Sequence, residues 1–214
     1  MNGVPCASPW RAGGWLDGAR VVASPNCSAR AIDAQVDLVL LHSISLPPGR
    51  YGGDAIECLF TNRLDQVADV HPGLARLRGL RVSSHFLVRR DGALLQFVGC
   101  DEQAWHAGAS QWRGRQGCND FSVGIELEGL EGLCFEPRQY EVLLVVLRAL
   151  AARYPIAGIA GHEHVAPGRK RDPGAGFDWA LVRAGMGWPA RYFPESDGRD
   201  ECAADALPGR VPPR

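Results

Sequence analysis

The segment VDLVLLHS, residues 36–43, sets four apolar residues, Leu38 to Leu41, in an unbroken row that ends on His42. A strand with one face in water alternates apolar and polar side chains, so an unbroken row is expected of a strand covered on both faces. Such a strand needs packing layers above and below it, which points to a layered fold around a buried sheet. His42 then stands where the strand ends, the place where open α/β sheets tend to put their sites.

The rest of the pattern is consistent with that frame. In SVGIELEG, residues 122–129, Val123, Ile125 and Leu127 face one way and Gly124, Glu126 and Glu128 the other. PRQYEVLLVVLRALAARYP carries the clearest helical stripe, with Tyr140, Leu143, Leu144, Leu147 and Leu150 on one side, Pro137 in its first turn and Pro155 at its end. SSHFLVRRDGALLQFV reads as a hairpin with Asp91-Gly92 as a two-residue turn. Weaker signals place a short helix from about Asp54 to Phe60, a short strand at GIAG (158–161) and a last short helix near Trp179. Residues 1–35 read mostly as loop, 61–80 are ambiguous, and 104–120 form a long polar-aromatic loop of the kind that often carries function. Intermixed strands and helices predict a mixed α/β fold: one domain over residues 1–188, its central mixed sheet flanked by helices, and a mobile tail over 189–214.

Composition excludes several function classes. The net charge of −1 offers no basic stripe for nucleic acid, and the apolar runs are far shorter than the roughly 20 residues of a membrane helix. The start, MNGVPCASPWRAGGWL, lacks the charged-then-apolar order of a secretory signal. Seven cysteines, an odd number without a CxxC pair, fit reduced thiols in a reducing compartment. These features predict a cytoplasmic protein with no nucleic-acid, membrane or obligate protein partner, most simply a monomer.

Candidate chemistry gathers around histidine. His162 follows the short apolar GIAG, and ten residues later comes Asp172, with Lys170 between them. Two neutral imidazoles and a carboxylate, His42, His162 and Asp172, suit a catalytic zinc site in which three protein ligands leave a fourth position for water. In His162-Glu163-His164 the two histidines would face opposite ways if the stretch is extended, so at most one is a ligand. Glu126 and Glu128 share a strand face, and the pattern alone does not choose between them.

Five segments in order, LLHSISLPPGRYGG, LRVSSHFLVRRDG, AWHAGASQWRGR, CNDFSVGIELEG and GHEHVAPGRKRDPGAGFDW, resemble the successive signatures of the AmpD subgroup of zinc-dependent N-acetylmuramoyl-L-alanine amidases, from about Gly14 to Trp179. The resemblance implies one zinc ion per chain on His42, His162 and Asp172, Glu126 as the acidic residue beside the zinc water, and Lys170 as the basic residue near the metal. It implies hydrolysis of the bond between 1,6-anhydro-N-acetylmuramic acid and L-alanine in small anhydromuropeptides. The alternatives are a wider-specificity peptidoglycan amidase and a non-catalytic recognition module of the same fold. Arg81 and Arg169 stand where the subgroup offers positive charge near its groove, and Trp105 is a candidate to pack on the sugar or peptide. Ser43 and Gly117 depart from it, standing where relatives often have Asn and Arg. Of the other histidines, His85 is expected packed and hydrogen-bonded, His71 and His164 at the surface, and His106 near the substrate without an assigned role.

Overall fold

Residues Leu38 to Ile44 run through the interior, hydrogen-bonded along both edges and buried from Leu38 to His42. The computed structural model describes residues 8–68 and 72–194. The elements before this strand are short: β1 (Trp10–Arg11), β2 (Trp15–Leu16), β3 (Arg20–Val21) and β4 (Cys27–Ala29) stitch the N-terminal loop region into the rest. Then follow β5 (Leu38–Ile44), α1 (Ala55–Phe60), α2 (Asp65–Ala68), β6 (Phe86–Val88), β7 (Leu94–Gln96), β8 (Glu102–Ala104), β9 (Gln111–Trp112), β10 (Arg115–Gln116) and β11 (Ser122–Glu128). The chain continues with α3 (Pro137–Arg153), β12 (Gly158–Gly161), α4 (His162–Val165) and α5 (Trp179–Met186).

The main sheet has the order β12-β5-β11-β6-β7-β3. Its first four strands are parallel and β7 runs antiparallel to β6, so the sheet is mixed, as expected. One face, with Val39, Leu41, Val123, Ile125, Leu127 and Ile159, packs under α3 and α5 through Leu143, Leu147, Leu150 and Val182. Each such side chain, once fully buried, contributes about 1.5–3 kcal/mol. The opposite face is covered in two parts. Leu87 and Leu95 lie under Ile56, Leu59 and Phe60 of α1, while Leu38, Leu40 and Ala160 lie under Ala107 and Cys118 of the 104–120 segment and under Phe121, which follows it. The site opens between these two covers.

Helix α3 starts where its sequence signals put it. Pro137 stands at its first position, and the Gln139 side chain accepts from the Glu136 amide at 3.0 Å. The Gln139 amide group also donates to the carbonyls of Val88 and Glu128, tying the helix to β6 and β11.

Three local expectations need correction. The β6–β7 connection is a three-residue loop, Arg90 to Gly92, because Arg89 donates its amide to Ala93 and Gly92 donates back to Arg89. Gly92 sits at φ +87°, the left-handed last position of a three-residue turn rather than half of a two-residue one. The 104–120 segment is not irregular throughout: β9 and β10 form a hairpin across Arg113-Gly114, both at positive φ. Cys27, Cys58, Cys100 and Cys118 are free, but Cys134 is disulfide-bonded, against the reading of seven reduced thiols. Packing continues past residue 188, with Phe193 in the main core; the remainder of the expected tail, 195–214, and His71 lie outside the described residues. Among the described residues no helix is long and apolar enough to cross a membrane.

Candidate active site

Register builds the site. Glu126 on β11 pairs with His42 on β5, and Gly161 on β12 pairs with Leu41, so His162 emerges beside His42 at the same end of the sheet. The loop from His162 returns Asp172 to that end, its mouth closed by a 2.9 Å bond from the Glu163 amide to the Asp172 carbonyl. Gly161 makes this return possible, since a Cβ there would lie 2.7 Å from Pro173 Cδ. The His162-Glu163-His164 stretch is helical rather than extended. His164 diverges from the site, accepts the Gly161 amide at 3.0 Å and packs on Trp179, half-buried instead of at the surface.

Among the described residues one group of side chains is arranged to hold a metal: His42, His162 and Asp172. His42 Nδ1 lies 3.0 Å from both His162 Nδ1 and Asp172 Oδ2, and the third edge is 3.1 Å. Ligand atoms about 2.0–2.1 Å from a tetrahedral zinc are about 3.3 Å apart, so small side-chain shifts fit this triangle to the ion. His162 Nε2 donates to the Ala107 carbonyl at 3.0 Å, which leaves its Nδ1 lone pair facing the centre of the triangle. Both imidazoles are 2% exposed. Burial lowers the His42 pKa, partly opposed by its close contact with Asp172. Burial by itself would raise the Asp172 carboxyl, but its close contacts with the His162 and His42 rings outweigh it and hold the group well below the ordinary carboxylate range. A neutral imidazole beside an ionised carboxylate is the protonation pattern of a metal site.

Glu126 and Glu128 share a strand face but have different surroundings. Glu128 Oε1 accepts from Arg89 at 2.8 Å and from the Gly52 amide at 2.7 Å, while its Oε2 accepts from the Arg90 amide. Arg89 in turn reaches the Gly53 carbonyl and Glu57. Glu128 is thus a tie between three segments, with both oxygens occupied. Glu126 is 8% exposed, and its Oε2 is buried with no hydrogen-bond partner among the described residues. Burial first, and then the charge of Asp172, push its carboxyl well above the usual range, against the pull of Lys170. Half-buried Lys170 lies close enough to act electrostatically on both His42 and Glu126.

The three expected substrate contacts are not gathered around this centre in the same way. Arg169 spans the gap to the 104–120 segment, donating to the carbonyls of Ala107 and Ala109. Trp105 is anchored by its indole N–H on Ser28. Arg81 borders a separate recess of about 170 Å³ with Leu59, Asn62 and Asp65. Beside Lys170 lies a wider recess of about 480 Å³, edged by Glu131, Glu163 and Arg171. Of the two departures, Gly117 sits at φ +70°, where an arginine would be strained, and Ser43 lies on β5 next to His42. Sequence reasoning placed His106 near the substrate without a role; its ring packs on Gly124 and meets His42 at 3.0 Å. A signal existed: glycine inside a buried strand marks a close approach by something else.

The family model described as N-acetylmuramoyl-L-alanine amidase matches residues 33–175. The 1,6-anhydro-N-acetylmuramyl-L-alanine amidase AmpD of Escherichia coli K12 is 51% identical over 79% of this chain and 93% of its own. A crystal structure of an AmpD selenomethionine derivative superposes with a TM-score of 0.78 at 49% identity, covering 81% of this chain and 97% of that one. The E. coli amidase AmiD, solved in complex with the substrate anhydro-N-acetylmuramic acid-L-Ala-D-gamma-Glu-L-Lys, has a TM-score of 0.52 at 30% identity, covering 73% of this chain and 60% of that one.

Proposed function

The chain belongs to the N-acetylmuramoyl-L-alanine amidase family, and from that premise we propose that it is a zinc-dependent hydrolase of the amide joining 1,6-anhydro-N-acetylmuramic acid to L-alanine in small cell-wall fragments. The observation that carries this reading is the bare, buried Glu126 carboxylate beside a ready-made His-His-Asp triangle. The similarity to AmpD along nearly its whole length supports the anhydro-sugar substrate and, with it, a recycling role.

His42, His162 and Asp172 would hold the zinc ion, which supplies Lewis acidity toward water and an amide carbonyl. The protein's own groups do the remaining work. Glu126 Oε2 accepts the proton of the attacking water and delivers it to the leaving nitrogen, which departs as an amine only once protonated. A raised carboxyl pKa suits both halves of that task, since the same group must take and release a proton near neutral pH. Lys170 faces the negative charge that develops on the carbonyl oxygen.

The test is mass spectrometry of two substrates. Purified anhydromuropeptide should be cut into the anhydro-sugar and free stem peptide, intact sacculi should be barely touched, and Glu126→Ala should abolish cutting. Preferential release from sacculi would favour the wider-specificity amidase. Binding without cutting by the wild type would favour a recognition module, a reading that the intact triangle argues against.

A further inference from the structure

His106 lies behind His42, on the side away from the metal triangle. Its Nδ1 is 3.0 Å from His42 Nε2, and its Nε2 is 3.4 Å from Ser122 Oγ. Ser122 spends its own proton on the Cys118 carbonyl at 2.5 Å. The hydroxyl oxygen therefore faces His106 as an acceptor, which puts the single proton of a neutral His106 on Nε2 and leaves Nδ1 with a lone pair. A lone pair there can be filled only by a hydrogen on His42 Nε2, and a neutral His42 protonated at Nε2 presents a bare Nδ1 toward His162 and Asp172.

The second histidine of the triangle is set from the adjacent residue, since His162 Nε2 donates to the Ala107 carbonyl. Both settings depend on one backbone step, which Asn119 pins by accepting from the amides of His106 and Ala107 at 3.1 and 2.8 Å. The ring has room only because residue 124 is glycine; a Cβ there would lie 2.7 Å from His106 Cγ and Nδ1.

We propose that His106 is a positioning residue that selects the Nδ1 ligation mode of His42 through a relay running from the Cys118 carbonyl through Ser122 and His106. The proposal rests on the reading of His42, His162 and Asp172 as a zinc site. Ligating histidines generally give their second nitrogen to a carboxylate, carbonyl or water; here another imidazole takes that place, and losing such a partner typically weakens metal binding by about 10–100-fold.

The experiment is chelator competition for zinc on the full chain, with imidazole ¹⁵N NMR of the zinc-loaded wild type. His106→Phe keeps a ring but offers no acceptor, and should weaken zinc binding by about 10–100-fold. His106→Gln offers a carbonyl oxygen and should recover most of the affinity. The NMR spectrum should show His42 metallated at Nδ1 and protonated at Nε2, with His106 protonated at Nε2, and it needs no variant to fold. Unchanged zinc affinity in His106→Phe, equal losses in the Phe and Gln variants, or His42 bound through Nε2 would each overturn the proposal. A wild type that binds no zinc would instead overturn the metal-site reading beneath it.

Discussion

Glu126→Ala and Glu128→Ala, two places apart on one strand face, should have opposite consequences. Removing Glu128 leaves the Arg89 guanidinium, on a side chain 10% exposed, without one of its two carboxylate partners, and leaves the Gly52 and Arg90 amides without an acceptor. Breaking a buried pair from one side costs about 3–5 kcal/mol. Arg89 retains Glu57 and the Gly53 carbonyl, so the lower end applies, about 3 kcal/mol. In a domain of this size that lowers the melting temperature by about 6–12 °C. Removing Glu126 discards a buried carboxylate with one bare oxygen, so the lost packing is offset by a lost desolvation cost and stability should change by less than about 1 kcal/mol. Urea unfolding of both variants in EDTA, with m-values checked for constancy, reads these differences. Amide hydrolysis at a temperature where both are folded should persist in the Glu128 variant and vanish in the Glu126 variant. Equal destabilisation, or a larger loss at Glu126, would refute the division of labour between tie and base.

Two further outcomes follow from the same geometry. Metal analysis should find about one zinc per chain in the wild type and none retained in His162→Ala or Asp172→Ala, because a structural or catalytic zinc needs at least three protein donors; full zinc occupancy in either variant would move the site elsewhere. His85 is buried between the Gly124 amide and the Glu102 carbonyl, and burial first, then the charge of Arg30, hold its pKa down to about 3 against an ordinary 6.5. Its folded pKa lies below its unfolded one, so the unfolded chain takes up the proton first. The stability it supports is full above about pH 6.5 and declines as pH falls toward 3, by about 2 kcal/mol between pH 7.5 and 5. Metal-free His85→Gln should therefore lose about 2 kcal/mol less than the wild type over that interval in urea titrations, and an unchanged pH dependence would remove His85 from the account.

Much of the sheet was legible because its signals are local. The apolar run at Leu38 to Leu41, the alternation of Val123, Ile125 and Leu127 and the Tyr140-to-Leu150 stripe each report burial by spacing alone, and each is buried on the predicted face. Leu144 is the exception within its stripe, packed at the rim of the core rather than inside it. The hairpin turn was misread by one residue because Asp-Gly is compatible with both two- and three-residue loops, and only the Arg89 and Ala93 bonds separate them. His164 was misplaced because a one-turn helix has too few residues to show a period.

The site divides along the same line. From the sequence by itself came a buried strand ending on His42, a second strand bearing Glu126 and Glu128, the chemical aptness of two histidines and an aspartate for zinc, and, through five ordered motifs, the family. Those are matters of residue identity and of spacing along the chain. The tertiary structure decided which glutamate is bound into the scaffold and which is left bare, brought His42, His162 and Asp172 to within 3.1 Å of one another, and set His106 against His42. The residues in those contacts come from strands and loops as much as 130 positions apart, and no local pattern carries the register and loop closure that join them.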